Sequence, residues 1–113
     1  MAAGYQELFL EQGTTFTTTI TLDDIYSVPY DLTEITAKSQ IKRSYYSANN
    51  TAEFLVTIND PSSGTILLSL NSNATSNIAP GRYVYDVVIK DTANTVTRVL
   101  EGIVNVIPQV TRF

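Results

Sequence analysis

The chain has no cysteine, no histidine and no tryptophan among its 113 residues. Without cysteine there is no disulfide, no thiolate metal site and no thiol nucleophile, so the fold must hold by packing alone. Without histidine a Ser-His pair is excluded, and a Ser-Lys variant needs a buried lysine that nothing in the pattern singles out. Cations are few as well: seven Lys and Arg against eleven Asp and Glu give a net charge of -4. They are scattered, which argues against a nucleic-acid partner, because phosphates are held by basic clusters. Apolar runs of about 18 residues are missing, and residues 1–7 carry neither a basic segment nor an apolar stretch of signal length. The expectation is therefore neither export by a signal peptide nor a membrane span. The five glycines are isolated, so the sequence offers no Gly-rich phosphate loop.

What is present is an excess of Thr, Val, Ile and Tyr, residues that suit an extended and half-buried backbone. Their spacing alternates. In residues 5–11, Leu8 and Leu10 share one face. Phe16, Thr18, Ile20 and Leu22 oppose Thr15, Thr17, Thr19 and Thr21. Ala37, Ser39 and Ile41 form the inward set of residues 36–43, and their small size predicts a bulky neighbour. Ala52, Phe54, Val56 and Ile58 alternate again, and so do Ile66, Leu68 and Leu70. Residues 71–78 lose this period and are read as one helical turn crossing between sheets. The last long strand spans residues 95–107, with Gly102 in its middle read as a bulge or bend.

The strongest of these stretches is Gly81-Arg82-Tyr83-Val84-Tyr85-Asp86-Val87-Val88-Ile89. Tyr83, Tyr85, Val87 and Ile89 line a buried face, and Val84 and Val88 make the opposite face only partly polar. Pro80-Gly81 turns the chain into this strand, and Asp91-Thr92-Ala93-Asn94 turns it out. A Gly-x-Tyr start to a late strand resembles the tyrosine corner of Greek-key sandwiches, in which the hydroxyl bonds back to the loop just left. Tyr83 is then the corner, and Tyr85 takes the core position that a cysteine holds in antibody domains. About seven strands with no intervening helices predict an all-β fold, an immunoglobulin-like antiparallel β-sandwich, as a single domain over residues 1–113.

Several segments together carry a family resemblance: Leu10-Glu11-Gln12-Gly13-Thr14-Thr15-Phe16, Tyr30-Asp31-Leu32-Thr33, Gln40-Ile41-Lys42-Arg43, Gly64-Thr65-Ile66-Leu67-Leu68-Ser69-Leu70 and Pro80-Gly81-Arg82-Tyr83-Val84-Tyr85-Asp86. In this order they make the chain resemble the small immunoglobulin-like virion structural proteins of tailed bacteriophages. Those of T4-like cyanophages are similar, as are the N-terminal modules of baseplate upper proteins. The resemblance implies a non-enzymatic assembly or decoration role in the virion, reached after synthesis in the host cytoplasm. Its implied partners are other virion proteins in head, neck, tail or baseplate and the chain itself, either as a homo-oligomer or bound on a lattice. It implies no cofactor and transfers no catalytic residue.

The residues themselves add little chemistry. Asp23, Asp24, Asp31 and Asp60 have turn or strand-start roles, and with Asp86 they offer no facing carboxylate pair that glycosidase chemistry requires. No Asp-x-Asp-x-Asp-Gly loop marks a Ca²⁺ site, so no metal is expected. The candidate interface residues are Arg43, Tyr45 and Tyr46, whose composition is that of contact hot spots, and the apolar terminus Arg112-Phe113. The uncharged threonine face of residues 15–21 is a further surface able to meet another strand. A second reading is a carbohydrate-binding or host-adhesion module in which Tyr26, Tyr30, Tyr45 and Tyr46 stack on sugars.

Overall fold

Alternating burial along each strand builds two sheets that face one another. The computed structural model describes residues 4–22, 32–44, 51–58, 62 and 64–111. Its elements are β1 (Gly4–Tyr5), β2 (Leu8–Glu11), β3 (Phe16–Thr21), β4 (Thr36–Lys42), β5 (Ala52–Glu53), β6 (Leu55–Thr57), β7 (Thr65–Leu70), α1 (Ser72–Ser76), β8 (Gly81–Lys90) and β9 (Val96–Ile107). The large sheet runs β1-β9-β8-β4-β5, with β2 also on β9, and the small sheet runs β3-β7-β6. β1 and β2 keep one register against β9, from Gly4 opposite Leu100 to Glu11 opposite Ile107, so they act as one interrupted strand. β5 and β6 are likewise one segment that changes sheets. Phe54 donates its amide to the Ser39 carbonyl at 2.9 Å, and the next residue pairs with β7 instead. Counted this way, the described residues hold seven strands.

The core lies between the sheets and matches the alternation closely. Leu8, Leu10, Ile41, Tyr83, Tyr85, Val87 and Ile89 come from the large sheet, and Ile20, Ile66, Leu68 and Leu70 from the small one. Phe54 enters at the change of sheets. Its ring meets Phe16 at 5.8 Å and stands edge-on to Tyr85 at 6.1 Å, an arrangement that aromatic quadrupoles favour. Buried Ser39 donates its hydroxyl to the Asp86 carbonyl at 2.7 Å, and Ile41 lies opposite Tyr85 across the β4–β8 ladder. The small residues of β4 do therefore sit against the tyrosine strand.

The single turn expected in residues 71–78 is α1. Asn71 caps it by accepting the Ala74 amide at 2.8 Å, which satisfies one of the free donors at a helix start. Buried Thr75 donates to the Thr14 carbonyl at 2.7 Å and so fixes the crossover against the turn before β3. At the exit of the crossover the Tyr83 hydroxyl donates to the Ala79 carbonyl at 2.6 Å. This is the expected tyrosine corner. Gly81 beside it has φ +145, a conformation that side chains disfavour, and a Cβ there would meet the Arg43 guanidinium at 2.9 Å.

Two features differ from the sequence reading. Within the otherwise antiparallel sandwich, β1 and β2 run parallel to β9, so the large sheet is mixed. The bulge in β9 also lies at Val99, not Gly102: Val87 pairs with Leu100 and Val88 with Arg98, leaving Val99 as the extra residue. Gly102 answers a different need. A side chain there would run into the Gln6 carbonyl oxygen and press on the Tyr85 ring at 3.1 Å. Its missing side chain lets the first strand close over Tyr85, whose hydroxyl donates to that same carbonyl at 2.7 Å.

Candidate functional site

The outward side of the large sheet is built by the partly polar faces of β8 and β9 together with β4 and β2. Its rows follow from the registers. Lys42, Val84 and Ile103 lie side by side, and the register of β1 and β2 places Glu7 level with Ile103. The next row holds Gln40, Asp86, Glu101 and Tyr5. Val84, Val88 and Ile103 are half-buried, while Tyr5 and Phe9 are 63% and 62% exposed. This face therefore combines aliphatic ground, exposed aromatics and charge.

The bulge sets its electrostatics. Residues three apart in a strand point to opposite faces, because the side-chain period is two. The extra residue at Val99 resets that parity, which leaves Val99 and Leu100 both buried and brings Arg98 and Glu101 to the same outer face. Arg98 then reaches the Asp86 carboxylate at 3.3 Å and the Glu101 carboxylate at 3.0 Å. A shallow depression of about 170 Å³ lies beside this cluster, lined by Gln40, Lys42, Val84, Asp86 and Arg98. It is open and mixed in character, a contact surface rather than an enclosed cleft.

The opposite outer face, on the small sheet, is different in kind. Thr17, Thr19 and Thr21 pair with Ser69, Leu67 and Thr65, giving uncharged hydroxyl rungs around Leu55 and Leu67. At one end of the sandwich an uncharged notch is lined by Thr14, Ser72, Asn73, Ser76, Asn77 and Gln109. Gln12 holds that end together: its side chain donates to the Ile78 carbonyl at 3.1 Å and accepts the Gln109 amide at 3.3 Å. Nothing in the local pattern around Gln12 signals this bridge, which joins segments 66 and 97 residues away. Among the described residues no group of three or more His, Cys, Asp or Glu is placed to hold a metal ion.

Of the residues singled out from sequence, Arg43 is exposed at the end of β4, with its guanidinium 5.0 Å from the centre of the Tyr83 ring. It covers the tyrosine corner from outside. Tyr45, Tyr46, Arg112 and Phe113 lie outside the described residues, as do Tyr26, Tyr30, Asp23, Asp24, Asp31 and Asp60. Asp86 is the carboxylate held by Arg98. In the core, burial pushes the Tyr85 phenol up to about 12, and nearby Tyr5 adds to the shift. It stays a neutral donor to Gln6.

No family model and no curated protein sequence matches the chain. Ninety-five solved chains do match it, and a shared fold by itself selects no function. One of them is an internalin-like protein of Listeria monocytogenes, 20% identical, with a TM-score of 0.53 over 93% of this chain. The matched region is 28% of that protein's chain. At such identity the likeness speaks for the architecture alone, and with the two-sheet topology it makes this chain an immunoglobulin-like β-sandwich.

Proposed function

We propose that this chain is a non-enzymatic structural module of a tailed-bacteriophage virion, attached to neighbouring head, neck, tail or baseplate subunits. One observation carries the reading beside the sequence resemblance. Large apolar side chains are exposed on several sides of one rigid sandwich: Tyr5, Phe9 and Ile107 on the large sheet, Leu55 on the small sheet, and Val110 beyond β9. A subunit with several neighbours needs apolar contacts pointing in several directions. The mechanism is presentation, with the packed core holding these residues in place. Repeated on a lattice, weak contacts add up because each later one forms at a high effective concentration.

The test uses gradient-purified particles of the phage that encodes the chain, analysed by quantitative mass spectrometry and lysine cross-linking. Many copies per particle, cross-linked through Lys38 or Lys42 to a structural subunit, are expected. A chain that washes off the particles or never co-purifies with them defeats the reading. A second reading, a carbohydrate-binding or host-adhesion module, draws on the uncharged notch, whose amides and hydroxyls suit a polyol. Glycan binding lost in Asn73→Ala and Asn77→Ala, with no chain in the particles, would favour it.

A further inference from the structure

We propose that β3 binds an extended, uncharged segment of another protein, which joins the three-stranded small sheet as a further antiparallel strand. β3 is an edge: among the described residues it pairs with β7 alone. The register tells which of its backbone groups are free. Leu22 donates its amide to the Gly64 carbonyl at 2.8 Å, and this pair continues the ladder in which Ile20 faces Ile66. Bonded and non-bonded pairs alternate along an antiparallel ladder. Phe16, Thr18 and Ile20 therefore bond to β7, while Thr17, Thr19 and Thr21 turn their N–H and C=O groups outward. All three threonines are exposed, and none of these outward groups has a backbone hydrogen-bond partner among the described residues.

The other open edges are guarded and this one is not. Charge, proline, a bulge or short length keeps a strand edge from pairing further. The margin formed by β1 and β2 carries Glu7 and Glu11, and the part of β4 beyond β5 carries Lys38. β5 and β6 are only two and three residues long. β3 offers six residues with no charge, proline, glycine or register shift. Its two sides state the chemistry of the occupant. Residues set opposite Thr17, Thr19 and Thr21 share the outer face, where the facing side chains are hydroxyls and Thr–Thr pairs are favourable. Residues set opposite Phe16 and Thr18 point inward. These two face the core yet are only half-buried, because no strand among the described residues covers their open side. The occupant is therefore a segment that alternates hydroxyl and aliphatic residues, and an antiparallel course continues the all-antiparallel small sheet. A free peptide of this kind should bind with a Kd on the order of 100 µM, since a few backbone hydrogen bonds must offset the cost of ordering it.

The proposal stands apart from the virion reading, which is judged on particles, so either can fail alone. Its probe is the capped peptide Lys-Thr-Val-Thr-Val-Thr-Glu, whose end charges keep it soluble and cancel. It is added to the whole chain up to about 2 mM, well above the expected Kd. Amide exchange followed residue by residue by NMR reads the contact. In the free chain Thr17, Thr19 and Thr21 should exchange fast, and Thr18, Ile20 and Leu22 slowly. The peptide should slow the first three by about tenfold or more and leave the edges of the large sheet unchanged. Thr19→Pro takes away the central N–H and sets a ring in the partner's path, at an edge position where proline does not break the β7 ladder. Thr19→Lys places a charge on the same edge. Both variants should keep slow exchange at Ile20 and Leu22 and lose binding by about tenfold or more. If proline disturbs β3 itself, the lysine variant alone decides. No protection at Thr17, Thr19 and Thr21, protection at another edge instead, or binding unmoved by Thr19→Lys overturns the proposal. Slow exchange of the same three amides in the free chain that speeds up on dilution also overturns it, by assigning the edge to a second copy.

Discussion

Two tyrosines, two residues apart on the same face of β8, fasten this sandwich in opposite ways. Tyr83 is 4% exposed and donates to Ala79, four residues back, closing the corner through which the chain enters its own strand. Tyr85 is 2% exposed and donates to Gln6, 79 residues away, sealing the parallel first strand onto the sheet. The corner is local, flanked by exposed residues and roofed by Arg43. The seam is long-range and depends on a glycine in a third segment. A hydrogen bond of similar length thus serves a loop in one place and the order of the strands in the other. The two regions should respond differently to the same insult.

The largest expected effect falls on the seam. Gly102→Ala drives a methyl group into the Gln6 carbonyl and against the Tyr85 ring, and backbone cannot swing aside as a flexible side chain would. We expect a loss of about 3 kcal/mol in urea-midpoint stability, at the upper end for overpacking. Amide exchange should speed up first in β1 and β2. Equal acceleration in α1 and the start of β8 would show that seam and corner are one cooperative unit.

Alkaline pH attacks the seam through a proton. The Tyr85 phenol titrates at about 12 in the folded chain against 10.0 for an ordinary tyrosine, so between these values the folded state holds a proton that the unfolded state has released. Its stabilising contribution is complete below pH 10, falls as pH rises from 10 to about 12, and is gone above that. The shift corresponds to about 2–3 kcal/mol. Other groups titrate in the same window, so the informative quantity is the difference from Tyr85→Phe. That variant should lack this part of the slope. Parallel curves for the two proteins would remove the seam as the cause.

At neutral pH the same substitution measures the hydrogen bond alone. Tyr85→Phe leaves the Gln6 carbonyl against Gly102 without its donor, for which about 1.5–2 kcal/mol is expected in thermal or urea unfolding. Tyr83→Phe should cost less, about 1 kcal/mol, because its acceptor Ala79 lies in the loop four residues back, whereas the Gln6 carbonyl is packed against Gly102 of another strand. A corner variant that loses more than the seam variant would invert the comparison.

The same division explains what was legible in the sequence. The corner was readable because its signals, Pro80, Gly81 and Tyr83, sit within four residues. The alternation of β3, β4, β7 and β8 was readable because period two is local. The seam was not, since Gly102 in a strand signals either a bulge or a close approach, and only the fold chooses between them. Val99, the actual bulge, is a β-branched residue that fits an ordinary strand position and so leaves no mark. Arg98 and Glu101, three apart, read as facing opposite ways until the bulge is known. For the candidate surface, Val84 and Val88 announced a partly polar outer face. The row from Glu7 to Lys42 needs three strand registers at once, and composition had pointed instead to Tyr45, Tyr46, Arg112 and Phe113.

The smallest expected effect concerns Arg43, where the corner and the candidate interface meet. Its guanidinium lies 5.0 Å from the Tyr83 ring centre, within the range of cation–π attraction, but the residue is exposed and solvent weakens the contact. Arg43→Met keeps the apolar stem and removes the charge, and should lower stability by only about 0.5 kcal/mol. Arg43→Lys should lose less, because an ammonium keeps the charge while giving up the flat stacking of the guanidinium. If both variants match the wild type in urea midpoint, the guanidinium contributes nothing to the corner and is free to bind a neighbouring subunit. If Arg43→Met alone falls, and by more than Tyr83→Phe, the roof of the corner matters more than its hydrogen bond, and Arg43 belongs to the fold before it belongs to any partner.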